Sequence, residues 1–264
     1  MEVRPKKRLG QHFLKDMTIA EKIVNALSFH DGYHSVIEIG PGTGVLTRFL
    51  MHKPIDHLIL MEIDEESIAY LNKHYHSTPH MDIIQADFLK ADLKKLFQRP
   101  FGIIGNFPYN ISSQILFKLL EYRDSAPELV GMFQKEVALR ICSKEGNKVY
   151  GILSVLIGAF YKREYLFTVP REVFLPPPKV ESGVIRLKRK TEYKLDCDEK
   201  AFFRVVKQGF QNRRKTLWNA LKPINLPEEL RSDPVFRLRA EQLSIPDFIE
   251  LTNKITSFGK PDPN

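Results

Sequence analysis

Short apolar runs at 35–39, 58–63, 82–86, 101–105 and 128–134 alternate with stretches of helical periodicity such as 65–75 and 112–122. Runs of this length, apolar almost throughout, read as strands buried on both faces. Their regular alternation with helices predicts a parallel sheet covered on both sides. Upstream, Ile19, Ile23, Val24 and Leu27 mark one face of a helix. Downstream, 136–161 reads as helical with a break near Lys144 to Lys148, and strand-like runs follow at 164–169 and 180–188. Between these two runs lies Phe174-Leu175-Pro176-Pro177-Pro178-Lys179-Val180, whose prolines predict a stiff, extended connection closing an antiparallel pair. From 191 onward the pattern is helical: Phe202, Phe203, Val206, Phe210, Leu217 and Leu221 form one apolar face, and 244–257 gives a last helix. The expectation is an α/β domain over 1–190 and a small all-helical domain over 191–264.

Composition sharpens this picture in three ways. A net charge of +8 favours a polyanionic partner. Two cysteines, Cys142 and Cys197, without a C-x-x-C spacing suggest neither a disulfide framework nor a zinc site, so a reducing, cytoplasmic setting is expected. His74 and His76 lack a supporting cluster, and no metal site is expected. No signal peptide is visible, and no apolar run approaches the roughly 18 residues that span a bilayer. A monomer without membrane contact is expected.

The candidate chemistry sits where strands end. Glu38-Ile39-Gly40-Pro41-Gly42-Thr43-Gly44 closes the first apolar run, with glycines at alternate positions where a backbone turns tightly beside a ligand. A dinucleotide fingerprint wants a sixth-position glycine, and Val45 stands there instead. Glu62 ends the second run, where a doubly wound fold holds a ribose. Asp87 follows the third run, and Asn106-Phe107-Pro108-Tyr109 follows the fourth. Gly40, Glu62, Asp87 and Asn106 thus fall at the carboxyl ends of four different strands, the edge where such sheets bind ligands. The E-x-G-x-G-x-G loop resembles that of S-adenosylmethionine (SAM) methyltransferases, and Asn-x-Pro-Tyr is similar to the motif of enzymes that methylate exocyclic amines of nucleobases.

Over nearly its whole length the chain resembles the small-subunit (16S) ribosomal RNA adenine N6,N6-dimethyltransferases. The resemblance is carried by Gly10-Gln11-His12-Phe13-Leu14, the glycine loop, Glu62-Ile63-Asp64, Gln85-Ala86-Asp87 and Asn106 through Ser112. It continues through Tyr150 to Val155, Phe174 to Ser182 and Gln211 to Leu217. Two positions depart: Phe107 where the family usually has Leu, and His12 where Asn is common. The resemblance implies a Rossmann-like SAM-dependent fold, SAM as cofactor, and dimethylation of adjacent adenines near the 3′ end of 16S rRNA within the small subunit or its precursor. It implies that His12, Leu14, Gly40, Gly42, Glu62, Asp87 and Asn106 hold the cofactor. It also implies that Asn106 and the Pro108 carbonyl bind the target amine while Tyr109 and Phe174 sandwich the base.

Arg213, Arg214 and Lys215 crowd beside the apolar face of the C-terminal domain and are expected to grip rRNA phosphates. The basic arm of Arg4, Lys6, Lys7 and Arg8 reads either as a mobile solvated tail or as a further phosphate contact. The nearest rival reading is the large-subunit adenine methyltransferase that confers macrolide resistance, which shares the glycine loop and Asn-x-Pro-Tyr. The Phe174-to-Ser182 segment and the Arg213-to-Leu217 run favour the small-subunit enzyme.

Overall fold

The computed structural model describes residues 3–75 and 78–258. The chain divides into two compact units, Met1–Ala138 with Lys162–Arg189, and Leu139–Tyr161 with Lys190–Asn264.

The first unit opens with β1 (Phe13–Leu14) and α1 (Met17–Asn25), which Asp16 caps by accepting the amide of Ile19. Then β2 (Ser35–Ile39), α2 (Thr47–Leu50), β3 (His57–Glu62), α3 (Glu65–His74), β4 (Met81–Gln85), α4 (Leu93–Leu96), β5 (Phe101–Asn106), α5 (Ser112–Glu121) and β6 (Glu128–Gln134) alternate. The helix α6 (Lys135–Cys142) leaves this unit. The chain returns as β7 (Tyr161–Val169), β8 (Phe174–Leu175) and β9 (Ser182–Arg189). Seven strands form one sheet in the order β4-β3-β2-β5-β6-β9-β7, parallel from β4 to β6, with β9 antiparallel to β6. The order reverses beside β2, so the carboxyl ends of β2 and β5 flank the switch point where open α/β sheets bind ligands. The α/β expectation holds, and the five parallel strands start and stop within a residue of the apolar runs.

Two sequence expectations need correction here. The stiff segment after β7 does not simply close a hairpin. Part of it, β8, pairs with β1, with Phe13 opposite Leu175 and Leu14 opposite Phe174. The N-terminal arm is not a free tail: Val3 is buried, and the Lys6 ammonium is paired with Asp64 and Glu66.

The second unit contains α7 (Ile152–Phe160), α8 (Glu199–Gln211), α9 (Leu217–Leu221) and α10 (Ile245–Ser257). Its boundary differs from the expected break at 190, because 139–161 groups with the C-terminal helices. The reason is physical. Leu153 through Phe160 are all buried, and a helix that is apolar all round must be surrounded. Here α7 packs against α8 and α10.

Candidate active site

A cavity of about 180 Å³ lies at the carboxyl edge of the parallel strands. Gly40, Gly42, Glu62, Asp87, Asn106, Pro108 and Tyr109 all line it, together with residues 9–13. Four strand ends and the N-terminal segment thus meet around one space.

Gly40 adopts φ +65°, and a Cβ there would project into open space with no atom within 4 Å. At Gly42, φ is +58°, and a Cβ would stand 2.8 Å from the Phe13 ring. A side chain is therefore strained at both and obstructed at the second. Glu62 is 4% exposed, and its carboxylate is held by three backbone amides. One oxygen accepts the amide of Gly42 at 3.1 Å; the other accepts those of Ile63 and Asp64 at 2.8 and 3.0 Å. Burial raises its pKa, and the three N–H groups oppose that rise. Asp87 accepts the amide of Leu89 at 2.9 Å through one oxygen, and its other lies 3.8 Å from the exposed Lys90 ammonium.

Asn106 is oriented from outside the strand. Its Nδ2 donates to the His12 carbonyl at 2.9 Å, and a carbonyl can only accept. Its Oδ1 takes no hydrogen bond from the described residues, which leaves it as an acceptor on a cavity-lining side chain. The Pro108 carbonyl accepts the Ile111 amide at 3.2 Å and keeps a second lone pair. The Tyr109 hydroxyl and the Ser182 hydroxyl lie 2.7 Å apart, so the ring is anchored at its tip; burial raises the phenol pKa. The His12 ring stacks on Tyr109 with centroids 5.6 Å apart, and its Nδ1 donates to the Pro176 carbonyl at 2.8 Å.

Two expected site residues are placed elsewhere. Phe174 is 1% exposed and belongs to the hydrophobic core with Ala20, Ile23 and Val24, and it does not line the cavity. Pairing with Leu14 turns it inward, so the aromatic group facing Tyr109 in this structure is His12. Leu14 shares that core position and borders a small neighbouring void beside Gly40. Its neighbour Phe13 lines the cavity instead.

The departure at 107 has a visible accommodation. Phe107 is 1% exposed and meets Phe133 edge-on at 5.1 Å. A Cβ on Gly131 would fall 2.0 Å from its ring, and one on Gly105 2.7 Å. Gly105 and Gly131, on adjacent strands, leave the space that this ring occupies.

A family model described as ribosomal RNA adenine dimethylase matches residues 3–254. The chain belongs to this family. It is 57% identical, over 97% of its length and 98% of the relative's, to a ribosomal RNA small subunit methyltransferase A of Cytophaga hutchinsonii. It is 56% identical to the protein of that name from Flavobacterium johnsoniae, over 98% of each chain. Among solved structures it is similar to a dimethyladenosine transferase from Plasmodium falciparum. The TM-score is 0.80 at 27% identity, over 94% of this chain and 98% of the other. The fold is shared with the 23S rRNA methyltransferase ErmE, with a TM-score of 0.67, 24% identity, and 92% and 99% coverage.

In the second unit Arg214 and Lys215 are exposed and form no ion pair among the described residues. Arg213 is different: its guanidinium donates to the carbonyls of Lys148 and Tyr150 at 2.7 and 2.6 Å. It braces the break between α6 and α7. Lys148 and Arg239, which the sequence reading did not single out, border the same basic concavity as Arg213 and Arg214. They are far apart in sequence, and only the fold collects them. Among the described residues no group of three His, Cys, Asp or Glu could hold a metal; His76 lies outside the described residues.

Proposed function

We infer that this chain dimethylates the N6 amino groups of adjacent adenines near the 3′ end of 16S rRNA, using SAM. The observation that carries the reading is the meeting, in one cavity, of two carboxylates suited to a nucleoside with the Asn106-Pro108-Tyr109 set suited to an aromatic amine. The residues present fit the cofactor. Gly40 leaves room for its methionine part, Glu62 is held rigidly to accept ribose hydroxyls, and Asp87 can accept from the adenine amino group. SAM supplies a methyl group already activated on a sulfonium.

The protein's task is to present a poor nucleophile correctly. The lone pair of the adenine amine is conjugated with its ring. Asn106 Oδ1 and the Pro108 carbonyl offer two acceptors for its two N–H groups. Binding both favours a pyramidal nitrogen, whose lone pair can then face the methyl donor. Positive charge that develops on the nitrogen meets dipoles already oriented by the His12 carbonyl and the β5 backbone. Most of the remaining gain is positioning. Tyr109, tethered to Ser182, gives the base a stacking face once the nucleotide has left its own stack. His12 is in ring contact with Tyr109, so a base on that face displaces the imidazole. The methylated nitrogen, positively charged as the C–S bond breaks, sheds one proton to solvent, so a single N–H remains and one acceptor loses its partner.

The exposed cations Arg214 and Lys215, with Lys148 and Arg239, suit an RNA backbone, which sets orientation without reading sequence. The test is to incubate the protein and labelled SAM with undermethylated small subunits and, separately, with large subunits, and to map the label. Dimethyladenines near the small-subunit 3′ end are expected. Label confined to the large subunit would overturn the assignment.

A further inference from the structure

Lys118 on α5 is only 8% exposed, and none of the described carboxylates forms a salt bridge with it. Its ammonium donates to the carbonyls of Leu89 at 3.0 Å and Ala91 at 2.6 Å. It also stands 5.5 Å from the ring centroids of both Phe88 and Tyr122. Two carbonyl dipoles and two aromatic faces replace its water, which is how a buried cation avoids an uncompensated desolvation cost. The carbonyls belong to the turn that follows Asp87. In that turn the amides of Lys90 and Ala91 both return to the Asp87 carbonyl at 3.0 Å, and Leu89 returns to its side chain. Phe88 and Leu89, like Asp87, line the cavity.

We propose that Lys118 is a positioning residue for cofactor binding: its ammonium gathers the Leu89 and Ala91 carbonyls and so fixes the turn that presents Asp87, Phe88 and Leu89. The physical point is convergence. Two carbonyl oxygens that approach one point repel each other unless a donor lies between them. Remove the donor and the turn relaxes toward water, carrying Asp87 with it. Burial holds the Lys118 pKa below its ordinary value, and the fields of Glu121, Asp87 and Asp92 oppose that by favouring the charged amine. Tyr122 secures the far side of the turn, its hydroxyl accepting the Leu93 amide and donating to Asp92, each at 3.3 Å. The same helix begins just beyond the Asn106-to-Tyr109 motif, so one element supports both the cofactor turn and the amine site.

The inference rests on the assignment of Asp87 to the cofactor, so the experiment includes Asp87→Ala. SAM affinity is measured by calorimetry on wild type, Lys118→Met, Lys118→Gln and Asp87→Ala. Amide exchange at Leu89, Lys90 and Ala91 is followed in the ligand-free proteins, and kcat at saturating SAM is recorded. Lys118→Met is expected to weaken SAM binding about tenfold, the scale of one charge-assisted contact. It should speed exchange at those three amides and leave kcat within about twofold. Lys118→Gln, which keeps an uncharged N–H donor group, should fall between and carries the test should Lys118→Met fail to fold. A lower melting temperature with unchanged SAM affinity and unchanged exchange would make Lys118 merely structural and overturn the proposal. Unchanged affinity in Asp87→Ala would instead overturn the cofactor assignment.

Discussion

Asn106 shows how much a single residue can owe to a distant one. One of its two amide N–H groups is taken by the His12 carbonyl, which fixes the orientation of the amide and leaves its oxygen to act. Asn106→Ala is therefore expected to lower kcat on the order of a hundredfold or more, the usual cost of losing one oriented polar group. Single-turnover methylation checks this, and near-normal dimethylation would remove Asn106 from the mechanism. Tyr109 separates into ring and hydroxyl. Since the hydroxyl meets Ser182, Tyr109→Phe should retain most activity, whereas Tyr109→Ala should lose a stacking face of roughly 1–3 kcal/mol. Equal activity in both variants would refute the stacking role. Glu62→Ala should weaken SAM binding by about 1.5–3 kcal/mol, read by calorimetry.

At the scale of elements, Gly105 on β5 and Gly131 on β6 make room for the Phe107 ring. Gly131→Ala would place a methyl 2.0 Å from the Phe107 ring, an overpacking that costs about 1–3 kcal/mol. Because Phe107 lies between Asn106 and Pro108, activity should fall as well. Adding Phe107→Leu should restore both stability and turnover; a double mutant no better than the single one would show that the ring is not what the glycines accommodate. The packing of α2 on β2 carries a pH signature. Glu38 is 1% exposed, with the Thr47 hydroxyl donating to it at 2.6 Å, and burial lifts its pKa from 4.5 to about 8. The folded protein thus holds this proton more tightly than the unfolded chain. Its contribution to stability is complete below 4.5 and is lost as pH rises through about 8. Melting temperatures of wild type and Glu38→Gln should converge toward low pH and separate in favour of the variant as pH rises. A constant difference across that range would contradict the assignment.

For the whole molecule, the question is how a large RNA substrate meets a small cavity. Replacing Arg214, Lys215 and Arg239 by Gln should leave SAM affinity intact and weaken binding to small subunits. Each lost phosphate contact should flatten the salt dependence by somewhat under about one unit of log–log slope. Arg213→Gln is expected to behave differently: it breaks two bonds to the backbone at Lys148 and Tyr150, so thermal stability should fall. Binding across a salt series, beside melting curves, distinguishes the two kinds of arginine. Identical slopes for wild type and triple variant would place the RNA surface elsewhere.

The strand positions and their shared edge were legible in the chain, because a parallel strand buried on both faces leaves a continuous apolar run and a ligand edge leaves glycines and acids at its end. Gly40, Glu62, Asp87 and Asn106 were found that way, as local signals repeated four times. What the chain could not reveal was every feature that depends on two distant segments meeting. Phe174 lies in the core because β8 pairs with β1, and no local pattern encodes that partner. His12 faces Tyr109, Lys118 supports the turn after Asp87, and Arg213 donates to the carbonyls of Lys148 and Tyr150 for the same reason. A side chain's type sets which interactions it can make, and that much is written in the sequence. Which of them it makes depends on the groups that folding brings within about 3 Å, the reach of a hydrogen bond, and those are chosen by the tertiary structure alone.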